Sequence, residues 1–244
     1  MTNPEQWPVE RWQETLDWQP LPSQCQQLQH LYELVIRGNR HQNLTRISDP
    51  LEFWEKHLWD SLRGLKTLDL LPPTATPQQG IDIGTGAGFP GLAIAIAHPH
   101  WPLILLDSSH RKIAFVQATI EALKLPQAQA HCERVETWAL EHRQSYDLVF
   151  SRALAAAIVC AEYSLPLLQV GGRALLYRGH WDRTEEQRLQ KALEILGGEV
   201  AEVDAFTTPL SCSTRHCVVL RKTAATPSQF PRSVGMAQHQ PLIP

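Results

Sequence analysis

Gly84, Gly86, Gly88 and Gly91 punctuate one short stretch, Asp82-Ile83-Gly84-Thr85-Gly86-Ala87-Gly88-Phe89-Pro90-Gly91, and nothing else in the chain limits the backbone as strongly. An apolar run ends at its start, and a helical pattern, Leu92 to Ala97, opens at its end. Closely spaced glycines let a chain turn sharply and approach a ligand where a Cβ would collide. A strand that enters such a loop and leaves it as a helix is half of a βαβ unit. A plain tight turn explains the pattern less well, because so many glycines weaken a strand-to-helix junction unless something must come close. Gly86-x-Gly88-x-x-Gly91 also matches the dinucleotide-binding fingerprint, a signal of low specificity when it stands alone.

The rest of the chain repeats that unit. Short apolar runs at 80–84, 103–107, 128–132, 146–150 and 172–178 alternate with helical spacing, which predicts a parallel sheet covered by helices on both faces. The last two runs, 199–208 and 214–222, are separated by a segment too short for a crossover helix and are expected to pair antiparallel. The predicted fold is therefore α/β, a seven-stranded, mostly parallel sheet closed by a C-terminal antiparallel hairpin.

Ahead of the glycine stretch the pattern is helical. Residues 22–37 carry apolar side chains at helical spacing, with Gly38 and Asn39 as a stop. Ser48-Asp49-Pro50, a capping side chain before a proline, opens one or two further helices reaching residue 70. Five of the eight tryptophans lie within the first 60 residues, so this part is expected to form a small helical layer with its own apolar packing. The predicted organisation is an N-terminal helical region (1–70), a Pro-rich linker (71–79), a cofactor-binding domain (80–223) and a basic, polar tail (224–244).

With 244 residues, 43% hydrophobic and 19% charged, the composition fits a soluble globular protein and excludes a disordered chain. No apolar run is long enough for a membrane helix and no secretory signal opens the sequence, so a cytoplasmic location is expected. The five cysteines lack metal-ligand spacing. A net charge of −3 offers no global attraction for nucleic acid. Beyond Asp204, however, no acidic residue occurs while Arg215, Arg221, Lys222 and Arg232 follow.

Two cofactors compete for the glycine loop, S-adenosyl-L-methionine and NAD. Asp107, at the end of the second strand, suits the ribose hydroxyls of either. The C-terminal hairpin favours the former, because an NAD-binding sheet is not expected to end in one. The absence of a Tyr-x-x-x-Lys pair points the same way.

Several segments together resemble one family, the bacterial 16S ribosomal RNA guanine-N7 methyltransferases, also called glucose-inhibited division protein B, in a form like that of cyanobacterial members. They are Asn39-Arg40-His41-Gln42-Asn43-Leu44-Thr45, His57-Leu58-Trp59-Asp60-Ser61-Leu62, the stretch 82–91, Leu106-Asp107-Ser108, Ser151-Arg152-Ala153, Gly171-Gly172 and Phe230-Pro231-Arg232. The first two lie outside the cofactor fold and would not be expected in a generic methyltransferase. Ser109-His110-Arg111-Lys112 departs from the family, which more often carries a basic pair directly there, and Arg178 replaces a more usual Lys.

The resemblance implies the class I S-adenosylmethionine-dependent methyltransferase fold, with Gly84, Gly86, Gly88 and Phe89 in the cofactor loop. It further implies Asp107, Ser108 and Ser109 at the ribose, Val135 and Glu136 beside the adenine, and Arg152 next to the methyl-transfer site. Arg152 has two readings, a contact to the guanine edge or cofactor carboxylate, or a pairing with a structural acid. The implied target is the guanine conventionally numbered 527 in the 530 loop of 16S ribosomal RNA, within a ribosomal subunit or assembly intermediate. No membrane and no required protein partner is indicated.

Guanine N7 carries a lone pair and no proton, so its methylation needs placement and no general base. No catalytic acid or base is assigned. Cys160 is expected to pack as a small hydrophobe and not to act as a nucleophile. Arg37, Arg40, Arg46, Lys56 and Arg63, together with Arg221, Lys222 and Arg232, are candidate phosphate contacts. Two alternatives stay open: methylation of another RNA or a small molecule, and a non-catalytic RNA-binding assembly factor.

Overall fold

The computed structural model describes residues 7–71 and 78–243. Every apolar run read as a strand forms one: β1 (Gly80–Ile83), β2 (Leu103–Asp107), β3 (Ala128–Cys132), β4 (Tyr146–Arg152), β5 (Leu168–Arg178), β6 (Gly198–Thr207) and β7 (Thr214–Lys222). They make one sheet in the order β3-β2-β1-β4-β5-β7-β6. Strands β1 to β5 run parallel, and β7 pairs antiparallel with both β5 and β6. The sheet is the one expected. Strand order reverses beside β1, so the carboxyl ends of β1, β2 and β4 border a crevice, where open α/β sheets bind ligands.

Helices cover both faces of the sheet, so the side chains that alternate along each strand are buried in two cores, one on each face. Ala174 and Leu176 of β5 join Ile81, Val149 and Leu220 in one core, under α7 (Val135–Glu141), α8 (Ala157–Leu167) and α9 (Arg183–Leu196). Leu175 and Tyr177 point the other way. They join Leu105 and Phe150 under α5 (Gly91–Ala97) and α6 (His110–Leu123).

The N-terminal helices α1 (Glu10–Leu16) and α2 (Pro22–Gln42) belong to that second core. Trp12, Leu31, Trp54 and Leu62 share one apolar cluster with the sheet, so the expected separate packing of the helical layer is not found. The Pro-rich stretch 72–77 of the predicted linker lies outside the described residues.

Helix α2 also runs past the predicted stop to Gln42, where Asn43 adopts the left-handed conformation as C-cap. Gly38 serves close packing instead. A Cβ there would lie 2.7 Å from the ring of Phe115 on α6.

Asp49 caps the next helix as predicted, its carboxylate accepting from the amides of Leu51 and Glu52 at 3.0 and 2.9 Å. That helix is continuous but changes pitch: α3 (Pro50–Phe53), a π-helical stretch over Trp54–Trp59, then α4 (Asp60–Thr67). Widened turns of this kind are frequent at functional sites. This one carries His57 and leads directly into Asp60. Tyr177 on β5 donates its hydroxyl to the carbonyl of Ser61 at 2.7 Å, binding α4 to the sheet.

Candidate active site

The glycine loop leaves β1 with Gly84, Gly86 and Gly88 all at positive φ (+71°, +62° and +95°), a region that disfavours side chains. Asp82 holds it from beneath, with one carboxylate oxygen accepting from the Thr85 hydroxyl at 2.6 Å and the Gly91 amide at 2.9 Å. Complete burial pushes the Asp82 carboxyl up to about 6. The three glycines differ in what surrounds them. A Cβ on Gly84 would collide with Leu154 and one on Gly88 with Leu92, whereas on Gly86 it would meet only the Gly84 carbonyl oxygen, at an ordinary contact distance of 3.9 Å.

From the loop a narrow cleft of about 180 Å³ crosses the carboxyl ends of β1, β2 and β3. Following the strand order, Gly84 lies at the β1 end, Asp107 and Ser108 in the middle, and Val135 and Glu136 at the β3 end, and Leu154, Tyr163 and Gln238 also line the cleft. The Asp107 carboxylate accepts from the amides of Gly86 (3.1 Å) and Ser109 (2.9 Å), so it is rigidly aimed. Ser109 itself caps α6. The donor set fits an adenosine-bearing cofactor: a fixed carboxylate for a ribose diol, a polar end for a base, and free volume beside Gly86.

A second cleft, of about 500 Å³, opens on the other side of the segment that follows β4. Ala153 borders it while the next residue, Leu154, borders the first cleft, so the two cavities adjoin. Ala153 has φ of +51°, a strained turn for a residue with a side chain. The second cleft is lined by Asp60, Tyr177, Arg178, His180, Arg215 and His216 among others. Arg178 is tied to the carbonyl of Ala155 at 2.8 Å and to Glu185 at 3.0 Å. Arg215 differs: its Nε is buried and meets no partner among the described residues.

Beneath the junction of the clefts lies a network from the N-terminal helices. His57 stacks on Phe89, with centroids 4.6 Å apart, and its Nε2 lies 2.9 Å from the Thr45 hydroxyl. Its Nδ1 faces a guanidinium nitrogen of Arg152 at 3.3 Å, and Arg152 also donates to the Lys56 carbonyl (2.9 Å) and contacts Asp60 (3.4 Å). Nδ1 must accept there, so His57 is neutral. Burial first, then Arg152 and Lys56, lower its pKa to about 3.

A family model described as "GidB: rRNA small subunit methyltransferase G" matches residues 24–218. The chain belongs to the GidB family. Relatives named ribosomal RNA small subunit methyltransferase G agree along nearly their whole length. One from Synechococcus sp. (strain JA-2-3B'a(2-13)) is 57% identical over 96% of this chain and 91% of its own, and one from Nostoc punctiforme is 51% identical over 96% and 97%. Among solved structures, a 16S rRNA (adenine(1408)-N(1))-methyltransferase from Catenulisporales acidiphilia superimposes with a TM-score of 0.51 at 15% identity, covering 61% of this chain and 89% of that one. That likeness is one of fold, the class I methyltransferase sheet.

Within this GidB-family chain the residues picked out by sequence divide into two groups. Gly84, Asp107, Ser108, Val135 and Glu136 line the first cleft. Gly86, Gly88, Phe89, Ser109 and Arg152 do not line it; Gly86 and Gly88 shape the loop beside it, the Ser109 hydroxyl is used as the cap of α6, Phe89 is buried against Phe53 and His57, and Arg152 pairs with the acid Asp60. The structural reading of Arg152 is the one its contacts match. The motifs around Asn39 and His57, which lie outside the cofactor fold, have a physical role here: the Asn39 side chain accepts from the Thr45 amide, and Thr45 meets His57. Tyr163 and Gln238 were missed, since neither sits in a periodic or glycine-rich pattern.

The candidate phosphate contacts need correction. Lys222 is buried and donates to the carbonyls of Leu165 and Leu168. Arg232 is locked to the buried carboxylate of Glu162, and Arg221 pairs with Glu199. Lys56 and Arg63 are likewise paired, with Glu52 and Asp204. Arg37, Arg40 and Arg46 remain exposed and pair with no carboxylate among the described residues. Cys160, in the first turn of α8, is buried and accepts from the Ser151 hydroxyl; burial raises its thiol pKa, against a nucleophilic role.

Proposed function

We propose that this chain binds S-adenosyl-L-methionine in the first cleft and methylates N7 of a guanine, the base numbered 527 of the 530 loop, in the 16S RNA of a small ribosomal subunit or its assembly intermediate, in the cytoplasm. The observation that carries the reading is the adjacency of the two cavities across Ala153 and Leu154. When bound, the cofactor supplies an electrophilic sulfonium methyl.

Gly86 leaves room along the loop, Asp107 with Ser108 takes the ribose, and Val135 and Glu136 border the base. An RNA base must leave its stack to be modified, and the second cleft is the space for it. Arg215 lines that cleft and brings its guanidinium charge to it. Arg152, held by Asp60, His57 and Lys56, keeps the floor between the cavities rigid. The substrate nitrogen has no proton to lose, which agrees with a site whose buried His57 and Cys160 are committed to structural contacts.

Mapping N7-methylguanine in 16S ribosomal RNA from cells with and without this protein tests the reading. The modification is expected at one base and lost without the protein. An unchanged map would reassign the enzyme to another substrate.

A further inference from the structure

The C-terminal segment was expected to be a tail, yet it is strapped along the body. Arg143 donates to the carbonyls of Thr226 (2.8 Å) and Phe230, Arg232 forms a two-nitrogen pair with Glu162, and Arg188 reaches the carbonyl of Ile243 at 3.1 Å. Between these anchors the Gly235 amide donates to Glu136 at 3.0 Å, and the same Glu136 oxygen accepts the Tyr163 hydroxyl at 3.0 Å. The strap then forms the short helix α10 (Met236–His239), whose Ala237 is buried and whose Gln238 borders the first cleft.

We infer that residues 230–239 are the wall of the cofactor cleft that reads the base, with the Gln238 carboxamide pairing the edge of a 6-aminopurine ring. The inference rests on the reading of this cleft as the S-adenosylmethionine site. The cleft passes Gly84, then Asp107 and Ser108, then Val135 and Glu136, so a ligand whose ribose meets Asp107 carries its base toward the far end, where Gly235 is fastened to Glu136. An aminopurine edge alternates an N–H donor with a ring-nitrogen acceptor. A carboxamide matches both, whereas a carboxylate can only accept. Glu136 has one oxygen already filled by two donors, while Gln238 makes no hydrogen bond with the described residues and is exposed. Glu136 is therefore the positioning residue that sets the strap, and Gln238 the one that contacts the base.

Calorimetric titration of the full chain with S-adenosylhomocysteine and with its counterpart whose purine ring lacks the 6-amino group separates recognition from mere support, because that ring keeps the N1 acceptor but offers the carboxamide oxygen no donor in either orientation. The wild-type protein is expected to prefer the adenine form by about tenfold, and Gln238→Ala to lose that preference through a larger loss on the adenine form. Gln238→Leu, with neither donor nor acceptor, should lose the preference as well. Wild-type affinity in Gln238→Ala, or an equal loss on both ligands, would overturn base reading by the strap. A wild-type protein that binds neither ligand would overturn the cofactor reading, and this inference with it.

Discussion

His57 lies flat against Phe89, ring centroids 4.6 Å apart and planes 14° apart, which joins a helix outside the sheet to the loop at its centre. The contact is one part of the core that the N-terminal helices share with the sheet. Through His57, Arg152 and Asp60, the π-helical turn supports both the glycine loop and the end of β4. Loop and strand end are thereby held in one frame.

That frame is acid-sensitive. His57 and, through burial, His98 are held neutral with pKa values lowered to about 3 and about 4. The unfolded chain takes up those protons near pH 6.5, so their contribution is full above that pH and falls as pH drops toward 4, by up to about 1.4 kcal/mol per histidine per pH unit. Asp82 acts oppositely: raised to about 6, its carboxyl recovers stability as pH falls from about 6 to 4. Two histidines outweigh one acid. Denaturant unfolding should show about 2–3 kcal/mol less stability at pH 5 than at pH 7, and His57→Asn should flatten that slope. An unchanged slope in the variant would remove His57 as its source.

The loop glycines should separate by function. Gly86→Ala makes only an ordinary contact, 3.9 Å from the Gly84 carbonyl oxygen, and its cost is chiefly that of positive φ, about 1 kcal/mol, so it should stay folded while losing cofactor affinity in calorimetry. Gly88→Ala places a Cβ 2.2 Å from Leu92 Cδ1, and should cost about 1–3 kcal/mol in addition to its backbone strain. Thermal melts with both variants decide the order; Gly86→Ala as the less stable would reject it.

Arg232→Ala should behave as a stability variant. It strands the Glu162 carboxylate, which is 1% exposed, and a buried charge without its partner costs about 3–5 kcal/mol. Adding Glu162→Gln should recover part of the loss. If the single variant unfolds at the wild-type denaturant midpoint, the pair does not hold the strap.

Exposed Arg40 and Arg46 flank the Asn39, Thr45 and His57 contacts. Replacing both with Ala should weaken binding to small ribosomal subunits and lower its salt slope by about 1–2, leaving cofactor affinity within about twofold. Arg221→Ala, which breaks an existing pair with Glu199, should leave the slope alone. Equal slopes for all proteins would move the RNA face elsewhere.

Local pattern alone determined the strands, the antiparallel hairpin, the Asp49 cap, the glycine loop and Asp107, because periodicity, capping and glycine spacing are properties of neighbouring residues. The motifs around Asn39 and His57 were also legible as unusual, but not their purpose. Tertiary structure decided that purpose, and it decided which charges are free. Arg221, Lys222 and Arg232 look alike in a basic tail, yet one makes a surface pair, one is buried against helix-end carbonyls and one satisfies a buried acid. Their partners lie 22, 54 to 57 and 70 residues away in sequence, and burial of an unpaired charge is so costly that the fold must supply them. Gln238 reached the cleft for the same reason: the strap is positioned by Glu136, Arg143 and Glu162, side chains from distant helices and loops that no local pattern connects to it.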